Sequence, residues 1–309
     1  MRGFATPKTV GSKRTPARPS APAPRRRRGV LAWRISCSST VGAKFSCGIL
    51  LSWIGVFQTL WVVTSHSAQP DKAAGIVSLR ARAEARSRNA WSACRDAGKI
   101  AGLPVADAAE NAWKLGRACF DLAEFSSTDH DRAELANEGI AACRGLLLTQ
   151  PNNPAAHYYL AMNLGQLART KTLGALRLVD EMEKHFQRVI AWAPKLDRGG
   201  PDRSLGLLYL EAPGWPASVG NRGKARKHLA QAVERDPEFP ENHLCWMEAL
   251  MKWKDRPALE KAAAAYTRLL PAARKDFDGD DWEWAWTDWD RRLEALFGGL
   301  QRRISKPIK

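Results

Sequence analysis

The stretch VGNRGKA, residues 219–225, is the segment of this 309-residue chain that comes nearest to a phosphate-binding loop. Such a loop follows a strand, and it needs a first glycine and a Gly-Lys pair before a Ser or Thr whose hydroxyl holds magnesium. Here Ser218 stands in place of the first glycine and Ala225 in place of the hydroxyl residue. No strand pattern precedes the segment, so we interpret it as a flexible loop that caps a helix.

The sequence also lacks the spacing typical of a metal site or of a catalytic nucleophile. The histidines after residue 70 contain no HxxxH pair, and no cysteine lies at metal-binding spacing from them. We therefore interpret them as surface or packing residues: His130, His157, His185, His228 and His243. The sequence also lacks a G-x-S-x-G motif. It predicts a protein that is not an enzyme and has no cofactor, and it leaves open a hydrolase with a dispersed site.

An acidic and aromatic segment, residues 275–297, is the most unusual part of the sequence. Its large apolar residues follow one helical stripe: Trp282, Trp286, Trp289, Leu293 and Leu296. We interpret it as a helix that caps the end of the domain. Two alternatives stay open, an aromatic platform for sugar or peptide and a calcium loop at Asp276, Asp278 and Asp280. The calcium interpretation lacks a Glu at the expected spacing.

Regularly spaced prolines indicate that the domain is built from a repeated unit of helices. Pro151, Pro194 and Pro237 are spaced 43 residues apart, and each follows an apolar segment with helical periodicity. Counting back from each proline by equal steps gives a small or slender residue and then a large apolar one. These positions are Gly139, Met182 and Ala225, then Cys143, Phe186 and Leu229. The pattern predicts repeated helix pairs whose second helix ends before the proline.

The unit resembles the tetratricopeptide repeat. Leu205-Gly206-x-x-Tyr209 matches the first helix of that repeat, and Ala225-x-x-x-Leu229 with Pro237 matches the second. The resemblance covers about residues 107–270, with an early loose copy at 111–119. It implies an all-α, right-handed solenoid of antiparallel helix pairs with a C-terminal capping helix. The period is longer than the family's, and we expect the extra residues in 169–177 and 212–223.

A narrower resemblance points to the T-component of TRAP transporters, a periplasmic helical protein associated with solute uptake. It rests on Gly199-Gly200, on the run Leu205–Tyr209, on the Pro- and Gly-rich loop after it, and on GKARKHLAQAV at 223–233. This resemblance implies a periplasmic accessory role in transport.

The tetratricopeptide resemblance also implies a binding groove. In that family the first helix of each unit lines the inner groove, at positions two before and two after the Leu of the Leu-Gly pair. The matching positions here are Tyr158, Met162, Arg203, Leu207, Leu244 and Glu248. Tyr and Arg at such positions suit an extended peptide or an acidic ligand. Trp215, in the long connection, either closes over this groove or pins its own loop.

The charge of the chain is divided unevenly. The formal net charge is +16, but residues 1–68 carry eleven basic residues and no acidic one, which leaves 37 basic and 32 acidic residues in the remainder. We predict a disordered basic leader at 1–44, a signal peptide or membrane anchor at 45–68, and one helical solenoid domain at 69–305. Whether translation starts at Met1 or Val41 stays open, and we predict no nucleic-acid partner.

The four cysteines of the domain are predicted to be small core residues, not disulfide partners. In antiparallel helices at 75–97 and 107–124, Cys94 and Cys119 would differ by about 10 Å in height, beyond the reach of a disulfide. The same reasoning disfavours a bond between Cys119 and Cys143, and none of the four, which include Cys245, forms a CxxC pair.

Together these features predict an exported, non-enzymatic scaffold that binds a protein or peptide. The alternative is a periplasmic small-molecule carrier or accessory of a TRAP-type transport system, with a solute or a solute-binding protein as its partner. In both cases membrane contact is expected through the N-terminal segment only.

Overall fold

The computed structural model describes residues 70–304, apart from 101, 103, 172 and 173. Within these residues the chain forms ten α-helices and one 3-10 turn, Leu196–Arg198. The helices are α1 Pro70–Gly98, α2 Val105–Ala123, α3 Asp129–Thr149, α4 Pro154–Arg169, α5 Ala175–Trp192, α6 Gly200–Glu211, α7 Arg222–Arg235, α8 Pro240–Lys252, α9 Arg256–Asp276 and α10 Asp280–Ile304. The predicted leader and signal or anchor segment lie outside the described residues.

Consecutive helices pack as pairs, and each pair packs on the next. The pairs are α2 with α3, α4 with α5, α6 with α7 and α8 with α9, and α1 covers α2. The expected all-α solenoid of antiparallel helix pairs is confirmed. No helix of the described part of the chain is long and apolar enough to cross a membrane.

Proline sets the ends of the helices as the sequence predicts. The second helices α3, α5 and α7 end at Thr149, Trp192 and Arg235, each two residues before its proline. The next first helix also begins with a proline in its first turn, namely Pro154, Pro201 and Pro240. Proline is tolerated there because the first helical N–H groups have no partner within the helix.

The glycine of the Leu-Gly pair is required by the packing of α6 on α7. A Cβ atom at Gly206 would lie 2.7 Å from Leu229 Cγ, and one at Gly116 would lie 2.3 Å from Cys143 Sγ. Real Cβ atoms do not approach so closely, so only glycine lets these helices meet. The repeat residues of the sequence pattern therefore form the contact between the two helices of a pair.

Helix α10 covers the last pair, as predicted for a capping helix. Trp282, Trp286 and Trp289 are buried, and Trp289 meets Phe239 and Phe277 edge-on. The aromatic stripe is therefore part of the domain core. Among the described residues, no group of three or more His, Cys, Asp or Glu side chains could hold a metal ion.

Helix α10 also reaches the first helices, which the sequence did not predict. Arg82 of α1 forms an ion pair with Glu283 at 2.8 Å, and the ring of Phe125, just after α2, lies 6.1 Å from that of Trp284. The two ends of the solenoid are therefore in contact along one side.

The second connection that we expected to hold extra residues is a loop, residues 212–221, which joins α6 to α7. In the first, α4 ends at Arg169 and α5 begins at Ala175. The four cysteines among the described residues are free thiols: Cys119, Cys143 and Cys245 are buried, and Cys94 is half-buried. Burial raises the pKa of the Cys143 thiol to about 12, which makes it a packing residue and not a nucleophile.

Candidate interaction surface

Most of the predicted groove residues lie inside the solenoid, away from solvent. Five of the seven are buried: Tyr158, Met162, Arg203, Leu207 and Leu244. Glu248 is half-buried, and Trp215 is 89% exposed, so its ring packs on little of the described protein. As a binding site the set stays a prediction, but the buried members offer no surface to a partner in this arrangement.

Tyr158 and Arg203 are buried because they join successive units through one carboxylate. The Tyr158 hydroxyl donates to Asp197 Oδ2 at 2.7 Å, and Arg203 Nη2 donates to the same oxygen at 3.1 Å. Arg203 Nη1 also donates to Asn242 Oδ1 at 2.7 Å on α8. Burial, together with the Asp197 charge, raises the pKa of Tyr158 well above its usual value. These hydrogen bonds join residues of three successive units.

A second buried network joins α8 to the capping helix. Arg292 of α10 donates to Glu241 Oε1 at 2.7 Å and to Glu248 Oε2 at 2.6 Å, and the Trp289 indole donates to Glu241 Oε2 at 2.6 Å. Burial alone would raise the pKa of Glu241, but the charges of Arg292 and Arg203 outweigh it and lower the pKa. Glu248 is thus a partner of the protein's own arginine, which the sequence pattern did not reveal.

Two histidines whose roles the sequence left open belong to a repeated motif. His157 Nε2 and His243 Nε2 each donate to a proline carbonyl six residues earlier, Pro151 O and Pro237 O, both at 2.8 Å. Both lie in the pattern P-x-x-P-x-x-H, which occurs at 151–157 and 237–243. The signal was therefore visible in the sequence. In both copies the histidine binds the segment that leads into the first helix of the pair. This agrees with the packing role expected of these histidines.

The solvent-facing side carries apolar groups that the core does not use. Leu148 on α3 is 88% exposed, and Trp192 at the end of α5 is 45% exposed. Large exposed apolar side chains that a packed core leaves over are a common mark of contact surfaces when they cluster.

Two tryptophans that are half-buried against the core form a cluster with arginine at one edge of the solenoid. The Arg226 guanidinium lies 5.2 Å from the ring centre of Trp253 and 5.7 Å from that of Trp246, and Arg222 lies 5.5 Å from Trp253. The two indoles meet edge-on at 6.1 Å. We call this surface the Trp–Arg edge and define it by Trp215, Arg222, Arg226, Trp246, Trp253 and Lys254.

Trp215 is included in this edge because it lies on the loop that leads into α7 and to Arg222. Gly214 pairs with Gly220, whose N–H donates to Pro213 O at 2.8 Å. Asn221 then caps α7 by accepting from Lys224 N, so that Arg222 is the first residue of the helix. The VGNRGKA segment is therefore a helix-capping loop, as the sequence indicates, and Arg222 and Arg226 lie one helical turn apart on it.

Comparison with known proteins finds one matching family model and several solved structures of similar fold. Residues 83–197 match the family model described as "Regulator of microtubule dynamics protein 1-3". This is less than half of the chain, and that family differs from the two named on sequence patterns. No curated protein matches the chain.

The structural comparisons identify the architecture. The thermophilic TPR protein TTC0263 of Thermus thermophilus has a TM-score of 0.50 and 18% identity, over 74% of this chain and 99% of that one. MamA has a TM-score of 0.39 and 16% identity, over 60% of this chain and 88% of that one. The likeness to TTC0263, together with the packed helix pairs, shows that the fold is a tetratricopeptide-like solenoid, as the Leu-Gly-x-x-Tyr pattern predicts. The family and structures named here include no T-component of a TRAP transporter.

Proposed function

We propose that this protein is a non-enzymatic scaffold that binds another protein or a peptide through the outer surface of its solenoid. The observation that carries the proposal is the Trp–Arg edge, where indoles and guanidinium groups lie at the surface of an otherwise complete core. Tryptophan and arginine are among the residues most enriched at the centres of protein interfaces. Tryptophan buries a large, rigid area, and the planar guanidinium of arginine forms several hydrogen bonds at once.

The packing of the inner side also supports an outer contact surface. The side chains that would line an inner groove are bonded to one another, as in the pairs Arg203 with Asn242 and Arg292 with Glu248. A partner that entered there would have to replace buried, charge-assisted hydrogen bonds, each of which contributes about 1.5–3 kcal/mol. The exposed edge requires no such exchange.

Affinity purification of the tagged native protein from its own cells tests this proposal. We expect a protein partner at a fixed ratio to the chain, detected by mass spectrometry after mild cross-linking. Recovery of the chain alone, or of the chain with only a small molecule, would contradict the scaffold function.

The small-molecule carrier is the runner-up and would be favoured by that last result. It draws on the TRAP-like residues Gly199, Gly200 and Leu205–Tyr209, and on the buried polar groups of the inner side. Native mass spectrometry of the purified chain distinguishes the two functions, because a carrier retains a bound solute and a scaffold does not.

We also propose that the domain acts outside the cytoplasm. The support is the order of the N-terminal segment, in which every leader charge precedes the uncharged run 45–63. Cell fractionation with protease protection, followed by peptide mapping of the N-terminus, tests both the location and the choice of start between Met1 and Val41.

A further inference from the structure

The Trp–Arg edge has an excess of positive charge that its own carboxylates do not neutralise. Lys252 pairs with Glu211 at 2.9 Å, Arg226 with Asp255 at 2.5 Å, and Arg256 with Glu260 at 2.8 Å. Within the part of the chain that the structure describes, Arg222 and Lys254 form no ion pair with a carboxylate, although Asp255, which pairs with Arg226, also attracts the charge of Arg222. Each is exposed, so their two charges face the solvent beside the tryptophans.

The exposed guanidinium of Arg222 is available to a partner. Its central carbon lies 5.5 Å from the ring centre of Trp253, within the range of a cation–π contact, and its N–H groups donate to no acceptor among the described residues. Those N–H groups form a planar fork that fits both oxygens of a carboxylate. A cation–π contact with the indole favours this position of Arg222, which lowers the entropy cost of binding.

Trp215 supplies an exposed apolar group on the loop that leads to Arg222. Its side chain is 89% exposed on a loop whose base, Gly214 with Gly220, lies two residues before Arg222. An exposed indole is a large, rigid contact that contributes most when a partner covers it.

We propose that the Trp–Arg edge binds an acidic peptide segment of the partner, with Arg222 and Lys254 contacting its carboxylates and Trp215 contacting an apolar residue beside them. The proposal rests on the scaffold function and names the surface and the partner's chemistry. Spaced carboxylates fit this edge better than a phosphate polymer does, because Glu211, Asp255 and Glu260 interrupt the positive charge and would repel a continuous line of phosphates.

Fluorescence anisotropy with the intact chain tests the proposal. The probe is a short fluorescein-labelled peptide of alternating Asp and Glu with one central Phe, and the reference is the same peptide with Asn and Gln. We expect saturable binding of the acidic peptide, weakened by added salt, and no binding of the neutral one.

A charge reversal at the edge, compared with one elsewhere, assigns the surface. The double variant Arg222→Glu with Lys254→Glu is expected to weaken binding by at least about tenfold, equal to about 1.4 kcal/mol. The control Arg177→Glu with Arg268→Glu makes the same change in net charge at two exposed arginines that form no ion pair with a carboxylate among the described residues. We expect the control to bind within about twofold of the parent protein.

A tryptophan pair tests the apolar contact separately. Trp215→Ala is expected to weaken the acidic peptide by about fivefold, whereas Trp192→Ala on α5 leaves it unchanged. Circular dichroism and thermal unfolding of all variants confirm that the fold is intact, which is expected because Arg222, Lys254 and Trp215 are exposed.

Four results would overturn the proposal: no binding of the acidic peptide by the parent protein, equal loss in both charge-reversal variants, tighter edge-dependent binding of single-stranded DNA or anionic vesicles, or a self-association that the edge variant abolishes. The scaffold function is judged apart from these results. If the affinity-purified partner is recovered equally by the parent protein and the edge variant, the scaffold holds and the edge is not its contact.

Discussion

At the scale of single residues, Gly206 sets the distance between α6 and α7. Gly206→Ala places a methyl group 2.7 Å from Leu229 Cγ, so one helix must move. We expect a loss of about 1–3 kcal/mol in the free energy of unfolding, typical of an overpacked core. Urea unfolding followed by circular dichroism measures it.

Gly145→Ala is the matched control for this substitution. Gly145 also lies within a helix, but an added Cβ there would meet no other atom within 4 Å. The same change is expected to stabilise the protein by about 0.5–1 kcal/mol, because alanine loses less backbone entropy on folding. If both substitutions shift the free energy of unfolding in the same direction, close packing at Gly206 is not the reason for the Leu-Gly pair.

The histidine pair of α4 and α5 gives the stability a pH dependence. His157 donates to Pro151 O through Nε2, so its Nδ1 accepts from His185 Nδ1 at 2.6 Å. Burial first, and then the neighbouring His157, lower the pKa of His185 to about 4, although Glu181 at 3.7 Å opposes this. Arg144 binds the same Glu181 oxygen, and Arg188 also disfavours a charge on His185.

Since His185 stays neutral in the folded protein below the pH at which it protonates in the unfolded chain, acid favours unfolding. Above about pH 6.5 the unfolded chain gains no proton on His185, and the free energy of unfolding is not reduced by this group. As the pH falls from 6.5 toward 4, the free energy of unfolding decreases by an amount on the order of 2–3 kcal/mol. His185→Gln is expected to flatten the plot of unfolding free energy against pH in this range. His130→Gln, at an exposed histidine, serves as the control, and an unchanged slope in the His185 variant would contradict the assignment.

At the scale of elements, the sequence is sufficient to predict where the helices lie and how they follow one another. The prolines after α3, α5 and α7, and the glycines at the helix contacts, act within a few residues of the chain, so their spacing can be counted. The aromatic stripe of α10 was likewise readable, because Trp282, Trp286 and Trp289 follow a helical period.

The sequence does not predict which side chains lie inside the solenoid and which lie at its surface. Arg203 and Glu248 occupy positions that face a groove in related repeats, but their partners, Asn242 and Arg292, lie 39 and 44 residues away. Which arginine pairs with which carboxylate depends on how far successive units rotate. The Trp–Arg edge was missed for the same reason, since Arg226 and Trp253 meet only when α7 packs on α8.

At the scale of the whole molecule, the contact between the two ends distinguishes this solenoid from an open row of repeats. In an open row each unit is stabilised only by its neighbours, so a destabilising change at one end does not reach the other directly. Here Trp284 packs on Phe125, and Glu283 pairs with Arg82, so α10 bridges α8 to α1 and α2. Unfolding at the C-terminal end should therefore reach the N-terminal helices without passing through α4 and α5.

Hydrogen exchange of a Trp284→Ala variant tests this bridge. We expect faster amide exchange in α10 and in the last turns of α2 around Leu122, with α4 and α5 unchanged, because local opening follows loss of nearby packing. Glu283→Gln is the control, since its ion pair with Arg82 is exposed on both sides and contributes at most about 1 kcal/mol. If exchange rises in α10 and α8 alone, the two ends are independent, and the protein behaves as a linear solenoid despite their contact.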